Sequence, residues 1–106
     1  MKTEIADTFF RKMKGLMFRK SLNHALVFPL GRETRSGAAI HSCFMRFTFD
    51  VVYLDKNKKV VDMATIKPWS FYTPKKPACC FIELPEGTIR KKKIKIGKAL
   101  PFQLNS

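Results

Sequence analysis

Residues 40–55 read Ile-His-Ser-Cys-Phe-Met-Arg-Phe-Thr-Phe-Asp-Val-Val-Tyr-Leu-Asp. This is an apolar, β-favouring run interrupted by His41, Ser42, Cys43, Arg46 and Asp50. A simple core strand does not carry so many polar groups, because burying one without a partner is costly. Either the segment crosses the floor of a pocket, or its backbone twists enough for the polar groups to reach water or one another. The spacing predicts strands over 39–44 and 50–54. Asp55, Lys56, Asn57 and Lys58 then supply a turn into a strand from Val60 to Ile66, which makes a β-hairpin.

Upstream of this core, 25–28 reads as a short strand closed by Pro29. Gly31 opens the polar run from Arg32 to Ser36 and Gly37 closes it, so an exposed loop is expected there. A first strand is expected over 3–6. Asp7 or Thr8 then caps a helix whose apolar positions Phe9, Phe10, Met13, Leu16 and Met17 follow helical spacing, with Gly15 bending or ending it. Downstream, the prolines at 68, 74 and 77 predict an irregular, lid-like loop in which Trp69, Phe71 and Tyr72 lie between Lys67, Lys75 and Lys76. A strand over 79–84 stops at Pro85 and Gly87, and 88–92 forms a helical turn. Lys93 and Lys95 alternate with Ile94 and Ile96 as in a half-buried strand, and 99–104 forms a last strand that Pro101 confines to an edge. Strands outnumber helices and are joined by hairpin turns. The fold expected is α+β, mainly β: a compact single domain over 1–106, a β-sandwich or barrel-like sheet with one main N-terminal helix.

The chain has 106 residues, 45% of them apolar, and ten phenylalanines, a globular composition with one modest core. Its apolar runs are far shorter than a bilayer span and no secretory leader is evident, so a cytoplasmic location is expected. Three cysteines without a spaced framework fit thiols in a reducing compartment. The net charge of +13 sets up a field that attracts nucleic acid, anionic lipid or acidic proteins. A charge run is more often a solvated face than a dedicated nucleic-acid surface.

Four separated stretches carry a resemblance: 12–19 (K-M-K-G-L-M-F-R), 25–29 (A-L-V-F-P), 40–55 as quoted, and 82–87 (I-E-L-P-E-G). Together they resemble the small bacterial and archaeal domain of unknown function 192, an uncharacterised protein family, over nearly the whole chain. The resemblance implies a compact β-rich domain with one main helix, and it brings no activity with it. Cys43 departs from the aromatic or small residue common in that family, and Cys79 with Cys80 from apolar ones, so thiol chemistry would be peculiar to this member.

The candidate ligand-binding residues are His41, Arg46, Asp50, Glu83 and Trp69. Arg46 can present its planar fork to a carboxylate or phosphate while Asp50 or Glu83 orients it; a structural ion pair is the alternative. His41 can serve as an anion ligand or a general base, or be held by backbone. Spacing is poor for metal, with no C-x-x-C and only His24 as a second histidine, so no metal and no cofactor are expected. No catalytic residue is assigned. The leading reading is a non-catalytic binding module for an anionic small molecule or an acidic segment of a partner. A second is a nucleic-acid-associated protein using Trp69, Tyr72, Lys75, Lys76, Arg90, Lys91, Lys92 and Lys93. A third is a small enzyme with His41 as acid or base.

Overall fold

The computed structural model describes residues 3–5 in backbone, and residues 25–42 and 45–102 in full. The helix expected after Asp7, and Cys43 with Phe44, lie outside the described residues. Among the described residues seven strands run in chain order: β1 (Thr3–Ile5), β2 (Ala25–Thr34), β3 (Ile40–His41), β4 (Phe49–Leu54), β5 (Val60–Ile66), β6 (Phe71–Tyr72) and β7 (Ala78–Pro85). Five of them form one sheet in the order β1-β2-β7-β4-β5, and β3 pairs with β6 in a separate two-stranded ribbon. β1 lies parallel to β2, and the other pairings are antiparallel. The sheet is open, with β1 and β5 at its edges, and is not the closed barrel entertained from the sequence.

β4 explains the architecture. Its sequence, Phe-Asp-Val-Val-Tyr-Leu, is β-branched and aromatic except for Asp50, and all six residues are buried. It lies between β5 and β7, so both faces must be covered. Side chains alternate along a strand. Phe49, Val51 and Tyr53 accordingly join Leu26, Phe28, Ile66 and Phe81 in one cluster, while Val52 and Leu54 join Val60, Ile82 and Leu84 in another. The β3–β6 ribbon covers the first face through Ile40 and Tyr72. A short α-helix, Thr88–Lys91, and the segment after it cover the second through Ile89, Ile94, Leu100 and Phe102.

The hairpin forms as the turn residues predict. The Asp55 carboxylate accepts the N–H groups of Asn57 at 2.8 Å and Lys59 at 3.0 Å, and Lys58 takes φ 63°. Elsewhere the chain departs from expectation. β2 does not stop at Pro29 but continues to Thr34 through a register irregularity, so 32–34 is strand and not loop. Among the described residues β1 pairs with 25–27, and Pro29 sits opposite Cys80 of β7 at the start of the irregularity, a position where a missing N–H is tolerated. The strand expected over 39–44 shortens to Ile40–His41, and the 67–77 loop contains β6 despite its prolines. Residues 93–96 are not a strand. Lys93 takes φ 56° and Ile94 N–H donates to Ile89 O at 3.0 Å, which folds Ile94 back under the sheet and leaves Ile96 53% exposed. Of the last expected strand, the described part shows one bridge, Ala99 to Lys59.

Candidate binding site

The β3–β6 register sets Ile40 opposite Tyr72 and His41 opposite Phe71. Because paired residues share a face, Ile40 and Tyr72 turn into the first core while His41 and Phe71 turn outward. Their ring centroids lie 6.4 Å apart, and Phe71 is 77% exposed. Trp69, next but one along the chain, is 61% exposed.

Ser42 holds this arrangement. It is fully buried, and its hydroxyl donates to Lys67 O at 2.6 Å while accepting Ser70 N–H at 2.8 Å. Its backbone N–H donates to Ser70 O, and its carbonyl accepts Trp69 N–H, both at 2.9 Å. Trp69 itself sits at φ 60°, a left-handed conformation that a bulky side chain adopts only where its surroundings impose it. Here the imposing contact is the bond to Ser42.

The rest of the loop is tied down by Asp62 on β5. One carboxylate oxygen accepts the Tyr72 hydroxyl at 2.7 Å and Lys75 N–H at 2.9 Å, and the other accepts Met63 N–H at 2.8 Å. Burial opposes ionisation of Asp62, but the Lys75 N–H, the Tyr72 hydroxyl and the Met63 N–H outweigh it and hold the carboxyl below its usual range. Burial and the same bond push Tyr72 up to about 12. Arg35 fastens the far side, donating from Nε to Pro74 O at 3.0 Å.

Along the chain, the two segments that carry and precede these rings are basic, while the Asp62 carboxylate lies beneath their loop. The sequence has no Asp or Glu between Thr34 and Phe49 or between Met63 and Ile82, yet it places Arg35, Arg46, Lys67, Lys75 and Lys76 there. All five are exposed.

The sequence candidates therefore divide. His41 precedes Ser42, whose carbonyl accepts Trp69 N–H, and Arg46 is exposed between the buried Met45 and Phe47 on the connection from β3 to β4. Tyr72 is a half-buried support, with Lys75 and Lys76 exposed in its loop. Asp50 is 1% exposed on the second face, where its two oxygens accept the Thr65 hydroxyl at 2.8 Å and Ile89 N–H at 2.9 Å. It lines a cleft of about 450 Å³ with Thr65, Glu86 and Arg90. Glu83 is fully buried on the first face between Leu26 and Val51, and neither of its oxygens finds a hydrogen-bond partner among the described residues. Burial raises its carboxyl to about 8. Asp50 and Glu83 are thus on opposite sides of the sheet, and Arg90, Lys91, Lys92 and Lys93 are exposed around the helix that covers the second face, away from Trp69.

Two contributors escaped the sequence reading: Asp62 as the loop's anchor and Tyr53 as a buried phenol. Among the described residues no three His, Cys, Asp or Glu side chains gather as metal ligands, and no helix is long and apolar enough to cross a membrane.

The pattern of the domain of unknown function 192, described as "Uncharacterized ACR", matches residues 1–102. The chain belongs to this family. The UPF0127 protein of Thermococcus kodakarensis is 49% identical over 95% of the chain, which spans 64% of that relative's length. The UPF0127 protein of Pyrococcus furiosus is 43% identical, with 96% of the chain and 87% of the relative covered. Two crystal structures share the fold. A candidate transcription regulator from Sinorhizobium meliloti superposes with TM-score 0.79 at 18% identity, over 92% of this chain and 78% of its own. A protein of unknown function from Novosphingobium aromaticivorans gives 0.72 at 20%, over 92% and 71%. Two of the family-like stretches, at Asp50 and at Glu86–Gly87, converge on the cleft of the second face.

Proposed function

We propose that this family member is a non-catalytic binding module that takes a single-stranded nucleic acid across the His41–Phe71 ribbon. The observation that carries the reading is the pair of exposed rings, Trp69 and Phe71, in a loop held by Ser42 and Asp62, with five cations and no acid in the two sequence segments 35–48 and 64–81. Bases stack on such rings whatever their sequence, and cations track the phosphates. Arg46 and Lys67, both exposed, would supply the positive charge, and His41 would offer a third planar surface. Neither Asp50 nor Glu83 is needed.

The test is fluorescence anisotropy of a labelled oligonucleotide of about 12 nucleotides at about 50 and 200 mM salt. Trp69→Ala and Phe71→Ala should each weaken binding by roughly tenfold at both salts, since a stacked base contributes ~1–3 kcal/mol. Arg46→Ala should instead flatten the salt dependence. Binding that disappears at the higher salt and ignores both ring substitutions would mean that the +13 charge acts as a diffuse field, and the ribbon reading would be abandoned.

A further inference from the structure

On the opposite side of the molecule the chain after Ile96 forms a strap. Gly97 N–H donates to Val60 O at 2.7 Å, Val60 N–H donates to Lys98 O at 2.9 Å, and Ala99 bridges to Lys59. These bonds pin the strap to the start of β5 and carry Leu100 and Phe102 over the second face, where both pack half-buried against its cluster. Between strap and sheet lies a pocket of about 500 Å³. Val27, Leu54, Leu100 and Phe102 give it apolar walls, Cys80 adds a thiol, and Lys58 is the charged group in its lining. A second cation stands near the mouth, with Lys92 Nζ 6.0 Å from the centroid of the Phe102 ring. No carboxylate lines the pocket among the described residues. The nearest acidic side chain in sequence to Lys58, Asp55, already accepts the N–H groups of Asn57 and Lys59.

We propose that this pocket binds a small anionic amphiphile, an alkyl carboxylate whose chain lies against Val27, Leu54, Leu100 and Phe102 and whose head meets Lys58. The volume falls in the range of small-molecule sites, and apolar walls with one convergent charge are their usual lining. Lys58 occupies the tip of the β4–β5 turn at φ 63°, where Asp55 O accepts its backbone N–H, so the hairpin fixes its main chain at the edge of the pocket that its side chain lines. The sign of the ligand follows from that ammonium, reinforced by Lys92. Cys80, on the pocket wall and opposite Leu54 in the sheet, reports occupancy without taking part. Burial, with Cys79 adding and Lys58 opposing, raises its thiol to about 11, so it reacts slowly and a further slowing is measurable. The site is independent of the ribbon, which lies on the other face.

The experiment is N-ethylmaleimide labelling of the native protein, read by fragmentation mass spectrometry that separates Cys79 from Cys80, with about 1 mM decanoate or its neutral analogue decanol. Decanoate should slow labelling of Cys80 by roughly tenfold relative to Cys79. Decanol should protect much less, and Lys58→Glu should abolish protection by decanoate while leaving the melting temperature near that of the parent. Lys58 is an exposed turn residue, so the variant is expected to fold, and the decanoate–decanol contrast in the unaltered protein stands whether or not it does. Absent protection, equal slowing of both cysteines, or equal protection by decanol would each overturn the proposal.

Discussion

Stability should fall by ~4 kcal/mol between about pH 5 and about pH 9, and Glu83→Gln should remove most of that slope. Glu83 is buried between Leu26 and Val51 with neither oxygen hydrogen-bonded among the described residues, and its carboxyl is raised from 4.5 to about 8 by burial alone. Burial disfavours the charged form, so the folded protein holds the proton while the unfolded chain releases it above its ordinary value. The sign follows. Folding is unopposed by this group below about pH 4.5, and stability drains away as pH rises through the folded value near 8. The other raised groups do not confuse the window, because Cys80 starts from 9.0 and Tyr53 from 10.0. Chemical denaturation at several pH values gives the curve directly. A slope that persists in Glu83→Gln would place its origin elsewhere.

Tyr53 shares this environment. It sits one step along β4 from Glu83's partner Val51, on the same face, and its hydroxyl also finds no hydrogen-bond partner among the described residues. Burial, followed by Tyr72, Asp62 and Glu83, pushes its phenol far above the ordinary value. Two polar side chains thus lie in a core otherwise built of Leu26, Phe28, Val51 and Phe81, where each unmade hydrogen bond costs about 1–3 kcal/mol. Neutrality at Glu83 limits that cost, since an ionised carboxylate in the same place would cost more.

What the sequence made legible was local pattern. The β4–β5 hairpin followed from two β-favouring apolar runs and an Asp-Lys-Asn-Lys turn between them, both local signals. The polar interruption of the run from Ile40 to Asp55 coincides with the end of β3, where Ser42 bonds to Lys67 and Ser70 in place of continuing the strand. What stayed hidden depended on partners distant in sequence. Nothing local says that Asp62 reaches Tyr72 and Lys75, or that β2 runs on through Pro29 to Thr34. Alternation also misled at Lys93–Ile96, because the backbone turn at Lys93 breaks the period of two that the pattern presupposes. Asp50 and Glu83 looked like companions of Arg46 until the register of β4 with β7 assigned them to opposite faces, a distinction of one residue that composition does not carry.

Asp62→Ala should cost about 3 kcal/mol of stability and, on the proposed function, weaken oligonucleotide binding at the ribbon although Asp62 lies beneath it. The substitution strands the Tyr72 hydroxyl, Lys75 N–H and Met63 N–H together, and acceptors that carry charge hold their donors more strongly than neutral ones. Tyr72 stacks on Tyr53 with ring centroids 6.0 Å apart and neighbours Phe71 in β6, so loosening it disturbs the core and the exposed ring at once. Asp62→Asn separates charge from shape: it keeps an acceptor for the Tyr72 hydroxyl and should recover part of the loss. The pH signature is opposite to that of Glu83. Asp62 has a folded value below its ordinary 3.8, so its contribution is complete above that value and is lost as pH falls through the folded one. Together the two carboxylates confine greatest stability to a window near pH 4–5, bounded below by Asp62 and above by Glu83. Denaturation of Asp62→Ala should therefore erase the acid limb and spare the alkaline one. An Asp62→Ala protein as stable as the parent, with the acid limb intact, would show that the loop is held by Ser42 and Arg35 alone.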